Sequence, residues 1–585
     1  MMIKEPFYIM KENNGFSILF PYSEEIKYNQ LSQSACHDLG LDMLCSAITN
    51  DSKEQNLIMS IISNMTSDPR VAAYRQKVFV DILNLPDLRK NMLELFDKIE
   101  FIRNFSTGHM DTDEKLGFWH LMHRLDELDD YIKCIESMKI CLSDENIKSE
   151  GLINFRKYVD ELYEDACFAA MKKDIAELKE KSSNIQSVTL GINVNERFEA
   201  VSMGLVSVNN KPFKKSGIVS NFADAISSKD KIQDGNEWKG DMHFHQIDRL
   251  HSRSVSSFIE GVGGFMALKS TPFVDGSIRS TVVKNADGSG TANTTFYLDK
   301  VINKMLDSIV KKLRDVLTKY ADVAIVNISR IVPEFMYYIR FAEFISMNME
   351  KGFRFCEPQT MDSESVSMDA KGLYNLKLAV NMQSTEGIVY NDLGFDNDHT
   401  IYILTGANRG GKTTITQAIG LMFALAQGGI YVPASSFEYR PVDCIYTHFP
   451  ADEDKTMDLG RLGEECVRFK EIYSVCTKDS LLLLNETFST TSFEEGYYIA
   501  KDSVRALLRK GVRTIYNTHM HKLAADIDEM NGENNGVKAA SLIMKNDNGK
   551  RSFKVEVASP EGLSYAKDIA EKYGVTYEML TKEKA

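Results

Sequence analysis

Nothing in the 585-residue chain approaches the roughly 18 consecutive apolar residues that a membrane-spanning helix needs, and the N-terminus, Met-Met-Ile-Lys-Glu-Pro-Phe, lacks the apolar core of a signal peptide. No membrane partner is therefore expected. The nine cysteines are scattered singly, with no C-x-x-C pair. That argues against a disulfide framework or a zinc site and for a reducing, cytoplasmic setting. Positive charge is in deficit, with a net charge of −14. Such a balance does not advertise nucleic acid, yet a basic stripe can be local on an acidic surface. Neither an internal repeat nor a low-complexity tail is present. Helix breakers are sparse: between Lys115 and Lys181 there is no proline, and only Gly117 and Gly151 interrupt.

What is there is ordinary globular material, 43% hydrophobic and 26% charged. The chain is too long for one core, since single cores stop growing at about 250–300 residues. A short strand pair is expected around Phe16–Phe20. From about Leu39 to Ile185 the spacing is helical, as in Leu57, Ile58, Ile61 and Ile62, or Val78, Phe79, Ile82 and Leu83. Long charged helices of this kind serve as bundles or levers. Val188–Val194 and Gly204–Val208 then read as strands, followed by Asn, Ser, Gly and Asp clusters, with 285–290 a loop. Helical spacing returns through Val301, Met305, Ile309, Leu313 and Leu317 and runs to about Met349, with Pro333 either kinking a helix or starting a new one.

From about residue 370 strand and helix alternate, the pattern of an α/β domain. The expected strands are Ile401–Leu404, Cys444–Thr447, Leu481–Leu484 and Thr514–Tyr516, with helices at about 464–475 and 494–509. A hairpin is expected from Ser541–Met544 and Ser552–Val557, and a closing helix at about 562–573.

Thr405–Thr414 reads Thr-Gly-Ala-Asn-Arg-Gly-Gly-Lys-Thr-Thr. It contains G-x-x-x-x-G-K-T between an apolar strand and good helix formers, the context of a phosphate-binding loop. Gly406, Ala407, Asn408, Arg409, Gly410, Gly411, Lys412, Thr413 and Thr414 are the candidate nucleotide-binding residues. Glycines let backbone N–H groups turn onto phosphate oxygens, and the helix adds its positive dipole end. Lys412 reaches the β- and γ-phosphates, and Thr413 is the Mg2+ ligand. The run Leu481–Leu484 ends in Asn485-Glu486. Glu486 is the candidate general base for a hydrolytic water. Asn485 can accept from a metal-bound water but brings no negative charge, so Mg2+ is expected to be held more weakly. His519, after the strand Thr514–Tyr516, is placed to sense the γ-phosphate or orient the water. Two readings stand for Leu459–Glu465: an anion-binding turn capping a neighbouring protomer's nucleotide, or a plain helix start with Glu464 and Glu465 favouring the dipole.

These elements, in this order, resemble the ATPase domain of the MutS family of DNA mismatch-repair proteins. The loop is similar to that family's T-G-P-N-M-G-G-K-S-T, with Ala407 for Pro and Arg409 for Met. Gly429–Ala434 is similar to G-x-Y-V-P-A, Thr518-His519 matches the Ala-Thr-His segment, and Gly562–Ala566 fits the end of the domain. Ile388–Asp392 sits where the family carries its Asn-containing approach to the site, which makes Asn391 a candidate binding residue. Asp68–Gln76 and the helical arms look, more loosely, like the family's core and lever.

The resemblance implies an α/β P-loop NTPase domain of ABC type, preceded by a mainly α-helical core/lever with a small mixed clamp insertion. The implied segments are 1–38, 39–187 (core/lever), 188–295 (clamp), 296–355 (returning lever) and 356–585 (ATPase). It also implies ATP and Mg2+ as cofactors, DNA as partner and a homodimer. Some positions depart from the pattern. Asp-Glu is Asn485-Glu486 here, Gly-Arg-Gly is Phe488–Thr490, and Ser-Thr-Phe-Met is Gly460–Gly463. Ile388 falls where an adenine-stacking aromatic is common. With helices beginning near residue 39, no mismatch-reading or connector domain is expected before the core, nor a nuclease domain after residue 585. Candidate contacts to DNA phosphates are Lys211, Lys214, Lys215, Lys239, Arg249 and Arg253, diluted by Asp230, Asp234 and Asp241. His243, His245 and His251 suggest a metal site that no carboxylate or cysteine spacing supports. Three functions remain open: a DNA-clamping ATPase, a nucleotide-gated binding module with negligible turnover, and a dimeric ATPase acting on protein or RNA.

Overall fold

The computed structural model describes residues 17–21, 26–106, 118–182, 187–194, 196, 200–209, 242–244, 282–284, 291–293, 307–320, 331–361, 368–395, 398–406, 410–450, 460–533, 536–547, 550–559 and 573–581. The chain forms two units. One comprises Met1–Leu93, Cys141–Tyr158 and Arg330–Ala585, the other Glu94–Ile140 and Val159–Ser329.

The second unit contains long helices and an antiparallel sheet. Leu125, Leu128, Ile132 and Ile135 are buried, as are Phe168, Met171, Ile175 and Leu178. Both sets follow the three-and-four spacing of one helix face. Their polar faces carry ion pairs such as Lys172–Glu136 and Lys179–Asp129. The two strands expected here extend to Ser187–Val194 and Ala200–Asn209, paired antiparallel. Met242–Phe244, Val282–Lys284 and Thr291–Asn293 continue that sheet. Residues 285–290, Val301 and Met305 lie outside the described residues, as do the six candidate phosphate-contacting cations. Asp307–Thr318 is helical, with Leu313 and Leu317 buried.

In the first unit, helix α1 (Gln33–Leu39) starts earlier than the sequence spacing suggests. Ser32 caps it by accepting from the Ala35 N–H, and a side-chain cap of this kind marks a start without apolar periodicity. Helices α2 (Pro69–Asn84) and α3 (Val332–Glu350) pack as core helices. Each has proline in its first turn, so Pro333 starts a helix rather than kinking one. Ile18–Phe20 form bends and Ser17 is irregular, so no strand is made here; Phe16 lies outside the described residues. Their backbone is claimed by side chains. The Ile18 and Leu19 N–H groups donate to the buried Glu334 carboxylate, and Leu19 and Phe20 donate to Ser17 Oγ.

A small sheet runs in the order β1 (Asn391–Phe395), Met368–Leu373, Ser436–Tyr439, Gln359–Thr360. The main sheet holds β2 (His399–Thr405), β3 (Ile445–His448), β4 (Leu481–Asn485), β5 (Arg513–Asn517), β6 (Lys538–Asp547) and β7 (Lys550–Val557). Its spatial order is β3-β4-β5-β2-β6-β7, parallel throughout except β7. A parallel sheet covered on both faces reads as an unbroken apolar run. Leu481 through Leu484 are indeed each 0% exposed. One face packs on helix α4 (Lys412–Gln427). The other packs on helices α5 (Gly460–Val475) and α6 (Phe493–Lys510), through residues including Phe469, Ala500, Val504 and Leu507. Helix α4 is apolar nearly all round and buried accordingly. At Gly420 a Cβ would lie 2.4 Å from Leu39 and 2.6 Å from Leu483, so a side chain there would have to displace both leucines between α4, α1 and the sheet.

The expected strands and both helices of this sheet are present; β3 keeps its expected length but is shifted by one residue, and the others are longer by one to six residues. Among the described residues no helix is long and apolar enough to cross a membrane. The closing helix expected at about 562–573 falls mostly on 560–572, outside the described residues.

Candidate functional site

Strand β2 delivers the chain into the glycine-rich loop, and α4 leaves it. Gly406 and Gly411 adopt φ values of 141° and 95°, where a side chain would be strained. A Cβ on Gly406 would also come within 2.8 Å of Met544. Ala407, Asn408 and Arg409 lie outside the described residues; Gly410 follows them, and Gly411 caps α4. Lys412 is 5% exposed, and its ammonium donates to the Gly406 carbonyl at 2.9 Å. Burial lowers its pKa, opposed by the charge of Glu486. Thr414 contributes its carbonyl to Asn375 Nδ2 at 2.7 Å.

The parallel register places the C-terminal ends of β2, β5 and β4 side by side, with Asn485 opposite Asn517. Thr413 Oγ1 donates to Asn485 Oδ1 at 3.0 Å. Glu486, just past β4, sits at φ 53°, an unusual conformation for a non-glycine residue. Its N–H donates to the Asn517 carbonyl at 2.8 Å, which holds the turn. The carboxylate meets His519 Nε2 at 2.7 Å, and His519 Nδ1 lies 3.5 Å from the Lys412 ammonium. The bond from His519 holds the Glu486 carboxyl below the usual glutamate range, against the opposing effect of burial. Lys412, Thr413, Asn485, Glu486 and His519 therefore stand within one contiguous set of contacts.

Asn391 is placed differently. Its Nδ2 donates to the Phe553 carbonyl at 3.1 Å and its Oδ1 accepts from the Val555 N–H at 2.8 Å, so it fastens β1 to β7. Gly460–Gly463 form the start of α5. Glu464 and Glu465 accordingly fall beyond the first turn, where the dipole argument no longer applies. Among the described residues no group of three or more His, Cys, Asp or Glu is arranged to hold a metal; His245 and His251 lie outside them.

Two residues escaped the sequence reasoning. His448, at the end of β3, contacts Thr487 Oγ1 at 3.1 Å and the Glu465 carbonyl at 3.2 Å, tying the turn after Glu486 to α5. Burial pushes its pKa down to about 4, helped by Arg468. Asn517 faces Asn485 from the neighbouring strand. Only the sheet register reveals either role.

The oxygen donors of Thr413 and Asn485 are hard, as Mg2+ prefers. Among the described residues, Thr405 Oγ1 and Asn517 Oδ1 are buried without hydrogen-bond partners. A glycine cradle, a buried lysine and oxygen donors at a helix start fit a nucleotide phosphate with its cation.

The MutS domain V family model matches residues 402–584, and the MutS2 N-terminal domain model matches 67–344. The chain belongs to the MutS family. It is 20% identical to DNA mismatch repair protein MutS of Staphylococcus haemolyticus over 494 residues, 82% of this chain and 52% of that protein. Shorter matches link it to DNA mismatch repair protein MutS 2 of Halobacterium salinarum, 29% identical over 33% of this chain and 22% of that protein. Endonuclease MutS2 of Thermus thermophilus is 28% identical over 34% of this chain and 26% of that protein. The chain thus spans about half or less of these relatives' length. The domain V match contains every candidate nucleotide-site residue except Asn391.

Proposed function

We propose that this MutS-family chain is a DNA-binding ATPase that couples ATP binding and hydrolysis, across a homodimer, to clamping of duplex or branched DNA without base-specific mismatch reading. The observation that carries the reading is the gathering of Lys412, Thr413, Asn485, Glu486 and His519 around the start of α4. The match to MutS domain V and the names of the relatives support it.

In this reading the backbone of Gly406–Gly411 and the Lys412 ammonium bind the phosphate oxygens. The Thr413 hydroxyl and the Asn485 amide oxygen would hold Mg2+, which when bound neutralises charge on the β- and γ-oxygens. Glu486, kept ionised by His519, accepts the proton of the attacking water. His519 spans Glu486 and Lys412 and orients both. DNA is gripped through its phosphates, so binding weakens steeply with salt and ignores sequence.

A second reading, a nucleotide-gated DNA or protein binding module with little turnover, is favoured by one observation. Asn485 gives the site a neutral amide where its chemistry would use a carboxylate. Removing one well-placed electrostatic group costs about 10²–10³ in rate. ATP turnover by the purified chain, with and without duplex and branched DNA, separates the readings. Turnover that changes with DNA and vanishes in Lys412→Ala supports the ATPase. ATP binding without turnover under any DNA supports the gated module. Absence of salt-sensitive DNA binding sinks the DNA part of both.

A further inference from the structure

Asn485 faces a difficulty that a carboxylate would not. A carboxylate presents equivalent oxygens, whereas an amide presents one oxygen and one NH2 group, and the wrong rotamer aims a partial positive charge at a cation. Something must fix the amide. Asn517 stands opposite it at the end of β5, 0% exposed, while Asn485 itself is 7% exposed. Asn517 Nδ2 donates to Asn485 Oδ1 and also reaches Thr413 Oγ1 at 3.4 Å, and Thr413 Oγ1 donates to Asn485 Oδ1 at 3.0 Å. The three side chains close a triangle. Of the two polar atoms left over, Asn485 Nδ2 and Asn517 Oδ1, the latter is buried with no partner among the described residues, a costly state unless something supplies a donor.

We propose that Asn517 is a positioning residue for a divalent cation at this site. It locks the Asn485 amide with its oxygen toward Thr413, and its own Oδ1 accepts from a water of the cation's shell. Two neutral amides then do together what one carboxylate would do alone. The inference rests on the nucleotide-site reading above and deepens it. It also gives the β4 and β5 ends one job: β4 carries the amide, and β5 aims it.

The test is a Mg2+ titration of N-methylanthraniloyl-ATP binding, read by fluorescence, with the unfolding midpoint measured with and without Mg2+. Wild type, Asn517→Ala, Asn485→Asp and the double variant are compared. Loss of a residue that orients a metal ligand lowers metal affinity by about 10–100-fold. The half-saturating Mg2+ concentration is expected to rise by about that factor in Asn517→Ala. In the Asn485→Asp background, the same removal is expected to leave the requirement almost unchanged, because a carboxylate needs no orienting. An unchanged requirement in Asn517→Ala overturns the proposal while the nucleotide-site reading stands. An equal loss in both backgrounds assigns Asn517 a merely structural role and also overturns it. If wild type shows no Mg2+-dependent nucleotide binding, the site reading itself fails and takes this inference with it. Asn517→Ser, which keeps a small polar group but no amide, gives the same comparison should the alanine variant fold poorly.

Discussion

The two ends of helix α4 are built to opposite specifications. At its start, Gly406 and Gly411 take the positive φ values open to glycine, Glu486 carries backbone strain at φ 53°, and Thr405 Oγ1 and Asn517 Oδ1 are buried without partners among the described residues. At its end, polar groups are answered from the helical core. The Gln427 side chain bonds the Thr66 and Val442 carbonyls and the Val442 N–H. The Gln427 carbonyl accepts from Arg75, and the Gly428 carbonyl accepts from Tyr337. Arg75 also grips the Leu19 carbonyl and lies 4.8 Å over the Phe20 ring. Among the described residues Arg75 Nη2 is buried without a partner at this end too, but the polar groups of the helix end itself are satisfied, as suits a rod that does chemistry at one end and stays fixed at the other. Strain and unmet hydrogen bonds concentrate where a ligand completes the structure.

That contrast can be broken at either end. The largest effect is expected from Glu486→Gln, which should lower ATP turnover by about 10²–10⁴-fold with an unchanged unfolding midpoint. A folding defect instead would make this end structural. Next is Arg75→Ala, expected to cost about 3 kcal/mol in denaturant unfolding, because it strands buried carbonyls and removes a packed guanidinium. A wild-type midpoint would mean the anchored end is not anchored.

The pH dependence of stability should carry both ends at once, with opposite signs. His448 has its pKa lowered to about 4, so the unfolded chain binds more protons below its ordinary value. Stability present above about pH 6.5 is then lost as pH falls toward 4, by about 2 kcal/mol between pH 7 and 5. Glu334, buried at the anchored end, is raised to about 7. Its contribution is full below the ordinary glutamate value and declines as pH rises through 7. His448→Gln should flatten the acid limb of a stability profile and Glu334→Gln the neutral limb. The smallest effect belongs to Ser492→Ala, which removes the cap of α6 and should cost about 1 kcal/mol with turnover unchanged.

Much of the open end was legible in the sequence. The G-x-x-x-x-G-K-T spacing, the four leucines before Asn485-Glu486 and the placement of His519 are local patterns whose period matches the structure they form. The anchored end was not. The Ser17–Phe20 segment meets Arg75 across 56 residues and Glu334 across 317, and a buried arginine reads in sequence as a surface charge. Asn391 shows the converse: its segment pointed to the nucleotide site, yet its amide is spent holding β1 to β7. Asn517 was in plain view but gained meaning only through the β4–β5 register, which no linear spacing encodes.

The most direct test of the account is equilibrium binding of ATP with Mg2+ to wild type, Glu486→Gln and Lys412→Ala. The account predicts that wild type and Glu486→Gln bind ATP comparably while only wild type turns it over, and that Lys412→Ala loses binding. Comparable ATP binding by Lys412→Ala would contradict it, because the nucleotide would then lie somewhere other than the start of α4.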